Sequence, residues 1–152
     1  MLRYSIYWFV TLLTIFSATA QVTKNSVLPE AKAEYVISLS GQWKFRFDPQ
    51  NEGIEKEWYL IAPFDDTILL PGTTDEQGKG DPESPQIGRF TRIHAYRGAA
   101  WYQTEVEIPN YFKGKRLVFS MERTKVTKVW FDGKPVGENN SLITTQQFEL
   151  TS

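Results

Sequence analysis

Segments in which apolar and polar residues alternate constrain the fold of this chain more than any other feature. Trp43, Phe45 and Phe47 alternate with Lys44 and Arg46, as in a β-strand with one buried and one solvated face. No long helical periodicity separates this segment from the later ones, which predicts an all-β antiparallel sandwich. Further short segments of alternating or apolar residues lie at 67–70, 90–96, 102–108, 117–121, 126–131 and 147–150.

Turn-forming residues lie between these segments. Asp132 and Gly133 separate residues 129–131 from residues 134–136, and both tolerate the positive φ angles of a two-residue hairpin. The sequence therefore predicts a hairpin at this point. Residues 52–61 are expected to form a short helical turn.

The segment from Gly72 to Gly88 is longer than a sandwich needs to connect two strands. Its 17 residues are rich in Gly, Pro and Asp. Long ordered loops are often functional, which makes this segment a candidate for part of a binding site.

The start of the chain has the pattern of a secretory signal peptide. Arg3 precedes a short apolar run at residues 6–16, and the triplet Ala-Thr-Ala follows. This pattern predicts cleavage before Gln21, and the run is shorter than the about 20 residues of a membrane-spanning helix. We therefore expect residues 1–20 to lie outside the fold and residues 21–35 to form an exposed lead-in. The mature chain is then exported, to the periplasm or the extracellular space, with no membrane contact after cleavage.

The charge and cysteine content exclude several functional classes. The formal net charge is −1, with acidic and basic residues intermixed, so the chain has no electrostatic signature of a nucleic-acid-binding protein. Cysteine is absent, which excludes disulfides, thiol nucleophiles and thiolate metal sites. We expect a neutral partner, and neither a cofactor nor a metal ion.

The titratable residues do not form a catalytic pattern. His94 is the single histidine, so a paired-histidine metal site cannot be built from this chain alone. Asp65 and Asp66 are adjacent and would point to opposite faces of an extended segment, which favours a turn. Glu105 and Glu107 share one face of a strand and are expected to be solvated. We assign no catalytic residue to the chain.

The tryptophans are the residues best suited to stack on a ligand ring or a sugar face. Trp43 and Trp130 lie in alternating segments and are expected in the core. Trp101 has the opposite phase to Tyr102 and Val106. It is therefore a candidate for contact with a ligand or a neighbouring domain.

Four motifs occur in a fixed order along the chain. They are Gly41-x-Trp43-x-Phe45, Leu70-Pro71-Gly72, Gly98-x-x-Trp101-Tyr102 and Val129-Trp130-x-Asp132-Gly133. Together they resemble the N-terminal sugar-binding domain of glycoside hydrolase family 2. That family includes β-galactosidases, β-glucuronidases and β-mannosidases. The resemblance covers nearly all of residues 36–152 and implies a jelly-roll sandwich of the galactose-binding-domain type.

The resemblance also implies where the chemistry of such an enzyme resides. In that family this domain precedes an immunoglobulin-like domain and a TIM barrel, and the barrel carries the two catalytic glutamates of a retaining mechanism. A TIM barrel takes about 250 residues. No residue of this chain therefore corresponds to either glutamate, and the chain alone is predicted to be inactive.

By position, the resemblance implies sugar-pocket roles for two groups of residues. Thr73, Thr74 and Asp75 follow the Leu-Pro element, and Asn139 and Asn140 follow the tryptophan-containing hairpin. Carboxylate and amide groups are suited to hydrogen-bond sugar hydroxyls, although the same residue types are common in turns. Some family members carry Asp where this chain has Asn139.

The leading hypothesis is the sugar-binding domain of an exported, retaining exo-β-glycosidase that hydrolyses O-glycosyl bonds. Its ligand would be a terminal β-linked sugar, and its partners the barrel and immunoglobulin-like domains of the family. Two alternatives stay open. One is a free-standing secreted carbohydrate-binding module, and the other is a structural domain whose apolar flank docks another protein.

Overall fold

β-Strands dominate the fold. The computed structural model describes residues 2–11, 35–61, 63–84 and 92–151. In these residues, no helix has the length and apolarity needed to cross a membrane. The elements are β1 (Leu2–Thr11), β2 (Gly41–Asp48), β3 (Asp66–Leu70), β4 (Asp81–Pro82), β5 (His94–Ala95), β6 (Ala99–Ile108), a 3₁₀ turn (Asn110–Phe112), β7 (Val118–Met121), β8 (Val126–Phe131), β9 (Lys134–Asn139) and β10 (Gln146–Glu149).

Six strands form one antiparallel sheet in the order β3-β2-β6-β1-β8-β9. The alternation in β2 decides which face of this sheet is buried, because Trp43 and Phe45 are 3% and 1% exposed. Lys44, between them, is exposed. The period of two read from the sequence is therefore confirmed, and it sets one face of the sheet against the core.

A second layer completes the core. Strands β7 and β10 pair with each other, and their Phe119 and Phe148 rings stack with centroids 6.3 Å apart. Both rings pack in one cluster with Trp43, Tyr102 and Val129 of the six-stranded sheet. Burying each such side chain contributes about 1.5–3 kcal/mol. Two antiparallel layers around one apolar core confirm the predicted β-sandwich, while the jelly-roll winding stays a prediction.

The opposite face of the large sheet carries an aromatic cluster of its own. Trp58 packs over Trp101, with ring centroids 6.1 Å apart, and Trp101 lies 5.2 Å from Trp130. Tyr59 stacks on Trp130 at 5.4 Å and 4°. The segment that supplies Trp58 and Tyr59 forms a series of hydrogen-bonded turns, and the Lys56 amide donates to the Glu52 carbonyl at 2.9 Å, as in the expected short helical turn. It lies over this part of the sheet, and we call residues 52–61 the covering segment, or the cover.

The predicted hairpin is confirmed. Asp132 and Gly133 have φ angles of 53° and 72°, and they join β8 to β9 in an antiparallel pair. The register of that pair shifts between Val129 and Trp130, as in a β-bulge.

The first strand lies within the segment that the sequence predicts to be a signal peptide. Leu2–Thr11 pairs with β6 on one side and with β8 on the other. A short apolar run is typical of a signal sequence and also of a central strand. The sequence alone therefore did not predict that residues 2–11 form a strand. The cleavage site, and residues 21–34 of the expected lead-in, lie outside the described residues. Cleavage itself stays a prediction.

The segment at 90–96 forms less strand than its pattern suggests. Its described part contains the two-residue strand β5, which pairs with β4. Residues 85–91, which include the end of the long loop and the start of this segment, lie outside the described residues.

Candidate functional site

The loop after β3 is held against its own strand. The amide of Leu69 donates to Gln77 Oε1 at 2.7 Å, and Gln77 Nε2 donates to the Leu69 carbonyl at 2.8 Å. The carboxamide therefore pairs with β3 as a neighbouring strand would. Gly72 is required here, because a Cβ at this position would lie 2.8 Å from both Gln77 Nε2 and the Leu69 carbonyl. The peptide bond between Leu70 and Pro71 is cis.

Thr73 and Thr74 serve the conformation of this loop. The Thr73 hydroxyl donates to the Glu76 carboxylate at 3.0 Å and accepts from the Glu76 amide at 3.1 Å. The Thr74 carbonyl accepts from the Lys79 amide at 2.8 Å. Thr74 is 3% exposed, so its side chain has little surface to offer a ligand.

Asp75 connects the loop to the segment that leads into β5. Its Oδ1 atom accepts from the amides of Ile93 at 3.0 Å and His94 at 2.7 Å. The His94 Nδ1 atom lies 3.8 Å from the same oxygen. The Asp75 side chain is still 31% exposed. A role in sugar binding stays a prediction, and in the structure the carboxylate organises the loop.

The second predicted group lies where β9 ends. Asn139 Oδ1 accepts from the Ser141 amide at 2.8 Å, and Asn140 is exposed. Gln146 Nε2 donates to the carbonyls of Ser141 at 2.8 Å and Lys125 at 2.7 Å. The loop that carries Asn139 and Asn140 is therefore fastened to the residue that precedes β8.

One electrostatic interaction lies between the segments that adjoin the two groups. Burial lowers the pKa of the Lys125 ammonium, and the nearby charge of Arg92 lowers it further. Arg92 adjoins the amides that Asp75 binds, whereas Lys125 adjoins the loop of Asn139. The Lys125–Arg92 interaction therefore links the segment that follows the long loop to the residue that precedes β8. We call the two loops and these connecting residues together the polar end.

Buried polar atoms at the polar end have unused hydrogen-bonding capacity. Within residues 35–61, 63–84 and 92–151, the buried side-chain atoms without a hydrogen-bond partner are His94 Nδ1, Thr124 Oγ1, Thr127 Oγ1 and Gln146 Oε1. Thr127 and Gln146 are both 0% exposed. Because buried polar atoms are normally paired, these atoms are suited to bind ordered water inside the fold.

Trp101 is placed differently from the other predicted site residues. It is 0% exposed, and its Nε1 atom donates to Asp48 Oδ2 at 3.0 Å. A Cβ on Gly53 would lie 2.3 Å from Trp101 Nε1, so the covering segment touches the indole directly. A sugar would reach this ring only if the cover moved. A contact between Trp101 and a substrate therefore stays a prediction.

Sequence reasoning missed a groove beside the aromatic cluster. It has a volume of about 320 Å³ and lies between β2 and the covering segment. The Arg46 guanidinium is 5.1 Å from the Trp58 ring centroid and 3.1 Å from Asp65 Oδ2. The sequence feature that could have indicated this groove is the alternation in β2, which points the Arg46 side chain to the opposite face from Phe45. No cluster of potential metal ligands occurs in the described part of the chain.

The comparisons with known proteins agree with this architecture. Residues 36–152 match the model of the sugar-binding domain of glycosyl hydrolases family 2. A beta-glucuronidase from Paenibacillus borealis is 26% identical over 117 residues, which cover 76% of this chain and 18% of the relative. A beta-galactosidase from Halalkalibacterium halodurans is 29% identical over 141 residues, which cover 80% of this chain and 14% of the relative.

The chain spans less than a fifth of the length of these two relatives. The family match, in contrast, includes every strand from β2 to β10. The chain therefore belongs to the glycosyl hydrolases family 2, as a sugar-binding domain.

Proposed function

We propose that this chain is the sugar-binding domain of an exported β-glycosidase and that it contacts a terminal β-linked sugar through its polar end. The observation that carries the proposal is the family match over residues 36–152. The names of the two relatives support a β-galactoside or a β-glucuronide as the substrate class.

The polar end supports this role on physical grounds. Sugar hydroxyls both donate and accept, and the polar end offers the Asn140 amide and the exposed part of the Asp75 carboxylate. Short polar side chains on a rigid scaffold are suited to fix the orientation of such a ligand. The hydrogen bonds around Gln77, Asp75 and Gln146 supply that rigidity.

The proposed division of labour leaves bond cleavage to another domain. In a retaining glycosidase, two carboxyl groups about 5–5.5 Å apart flank the scissile bond. Asp65 and Asp66, in contrast, pair with Arg46 and Lys79. We propose that this chain positions the sugar for catalytic carboxylates carried by a family barrel, by a retaining and exo-acting mechanism.

The test is a titration of the ¹⁵N-labelled chain with methyl β-galactoside and with methyl β-glucuronide, followed by NMR. Amide shifts should cluster at Asp75, His94 and residues 139–141, with millimolar affinity. The Asn140→Ala variant should bind at least tenfold more weakly, the equivalent of about 1.4 kcal/mol. The matched control is Asn110→Ala, an exposed asparagine in the 3₁₀ turn, and its affinity should be unchanged.

Other results would favour the alternatives. Micromolar affinity of the chain alone for an oligosaccharide would indicate a free-standing carbohydrate-binding module. Shifts spread evenly over the surface, or no shifts, would contradict a sugar site at the polar end. Hydrolysis of nitrophenyl glycosides that persists in a highly purified sample would refute the proposed division of labour.

A further inference from the structure

Strand β1 fills a gap between two strands that lie far from it in the sequence. It pairs antiparallel with Ala99–Ile108 over its whole length, and its residues 6–11 pair with Val126–Phe131. Residues 12–40 connect it to β2, the next strand in the chain. Strand β1, the first that the structure describes, thus lies in the middle of the sheet.

The register of β1 places its residue types opposite residues of similar or complementary chemistry in β6 and β8. Trp8 stands opposite Tyr102 and Val129, which both belong to the main core. Arg3, at the other phase, stands opposite the acidic Glu107. The residues that share the phase of Trp8 are apolar or aromatic, namely Leu2, Tyr4, Ile6 and Val10.

An unfilled gap would be costly for the sheet. Trp101 and Tyr102 of β6 are 0% and 4% exposed, and backbone groups beside such residues must be hydrogen-bonded. Each buried group that loses its partner costs about 1–3 kcal/mol. Loss of β1 would deprive β6 and β8 of a partner together, so the two strands need a replacement whenever β1 is removed.

We propose that the gap between β6 and β8 is a strand-acceptor site for an extended polypeptide segment with apolar residues at alternate positions, antiparallel to both strands. Main-chain hydrogen bonds supply affinity in this mode of recognition, and the alternate side chains supply specificity. While residues 1–20 are attached, the chain fills the site itself. Cleavage before Gln21 opens the site for a segment from elsewhere. The inference goes beyond sugar binding and rests only on the cleavage that the sequence predicts.

The test begins with the uncleaved chain, made without export, that carries a specific protease site between Lys24 and Asn25. After the cut, size-exclusion chromatography with mass spectrometry shows whether the N-terminal fragment stays bound. A fluorescent peptide with the sequence of residues 2–11 is then added, and anisotropy measures its exchange into the site. The control peptide carries Ile6→Pro, because proline removes a ladder hydrogen bond and is not tolerated in a central strand.

We expect the fragment to stay bound after the cut and the peptide to replace it, with at least tenfold weaker binding of the Ile6→Pro peptide. If the cut chain unfolds when the fragment leaves, restoration of its circular dichroism by the peptide supports the proposal, and failure to restore it overturns the proposal. The proposal is also overturned if the cut chain releases the fragment, stays a folded monomer and does not bind the peptide. If the cut chain dimerises and the peptide does not prevent this, the gap binds a second copy of the chain. That result would contradict the proposal. None of these results depends on whether the chain binds sugar.

Discussion

A buried carboxylate joins the core sheet to its aromatic cover. Asp48 is 1% exposed and accepts from the amides of Glu52 and Gly53, each at 2.9 Å, in addition to Trp101 Nε1. Hydrogen bonds to a charged group contribute about 1.5–3 kcal/mol each. The sequence showed Asp48 as part of an Asp-Pro turn signal, and the three donors became evident in the folded chain alone.

Replacement of Asp48 tests this junction. Asp48→Ala should lower the free energy of unfolding by about 3 kcal/mol, because it leaves buried donors without partners. Asp65→Ala removes a carboxylate whose side chain is 63% exposed, and should cost less than about 1 kcal/mol. Urea unfolding followed by tryptophan fluorescence measures both. Equal losses in the two variants would contradict a special role for Asp48.

Gly53 is required because its backbone lies close to the Trp101 indole, and not because its backbone angles are unusual. Gly53→Ala would drive a methyl group into the Trp101 indole and should cost about 1–3 kcal/mol. Gly137→Ala is the matched control, because a Cβ there would meet Phe148 at an ordinary 3.6 Å. Thermal unfolding of both variants separates a steric effect from a general effect of replacing glycine. Similar melting temperatures for the two would argue against the contact.

Among the elements, the loop after β3 is fixed by an ion pair in addition to its backbone bonds. Lys79 Nζ contacts Asp66 Oδ2 at 2.5 Å, and this hydrogen bond lowers the pKa of the Asp66 carboxyl. The pair thus adds stability while Asp66 is ionised. That stability is complete above the ordinary aspartate pKa of about 3.9, and it is lost as the pH falls through the lower pKa of the folded state.

The Lys79→Met variant should reveal this pH dependence. Its urea midpoint should lie below that of the parent chain at pH 6, and the difference should shrink as the pH falls below about 3.9. Lys44→Met, at an exposed lysine of β2, is the control and should show no gap that closes with acid. A difference for Lys79→Met that stays constant from pH 6 to pH 3 would refute the ion-pair explanation.

The elements also show how much of the structure was predictable. Local signals were sufficient for the strand at Trp43 and for the Asp132-Gly133 hairpin, because periodicity and turn chemistry act within a few residues. The cover over Trp101 was not predictable, since it depends on a contact between distant segments. For the same reason, the sequence suggested Asp75 as a ligand contact but did not reveal its bonds to the amides of Ile93 and His94.

At the scale of the whole molecule, strand β6 belongs to both apolar clusters. Tyr102 packs in the main core, whereas Trp101, its neighbour, packs under the aromatic cover. Neither cluster can separate from the sheet without disturbing β6. We therefore expect the sandwich and its cover to unfold as one cooperative unit.

Two spectroscopic signals test this cooperativity. Near-UV circular dichroism reports the packed tryptophans, and far-UV circular dichroism reports the strands. Their urea transitions should coincide, as in two-state unfolding, and Asp48→Ala should move both midpoints together. An aromatic transition that clearly precedes the far-UV transition would show that the cover opens independently.

Both outer edges of the large sheet carry features that hinder the addition of a further strand. At one edge, the Gln77 carboxamide occupies the amide and the carbonyl of Leu69. At the other, β9 carries Pro135, which lacks an amide hydrogen, beside the irregularity at Trp130. Such devices prevent edge-to-edge aggregation of sheet proteins. Protection of both rims would confine the proposed strand exchange to the single gap between β6 and β8, and so would prevent the chain from polymerising through its edges.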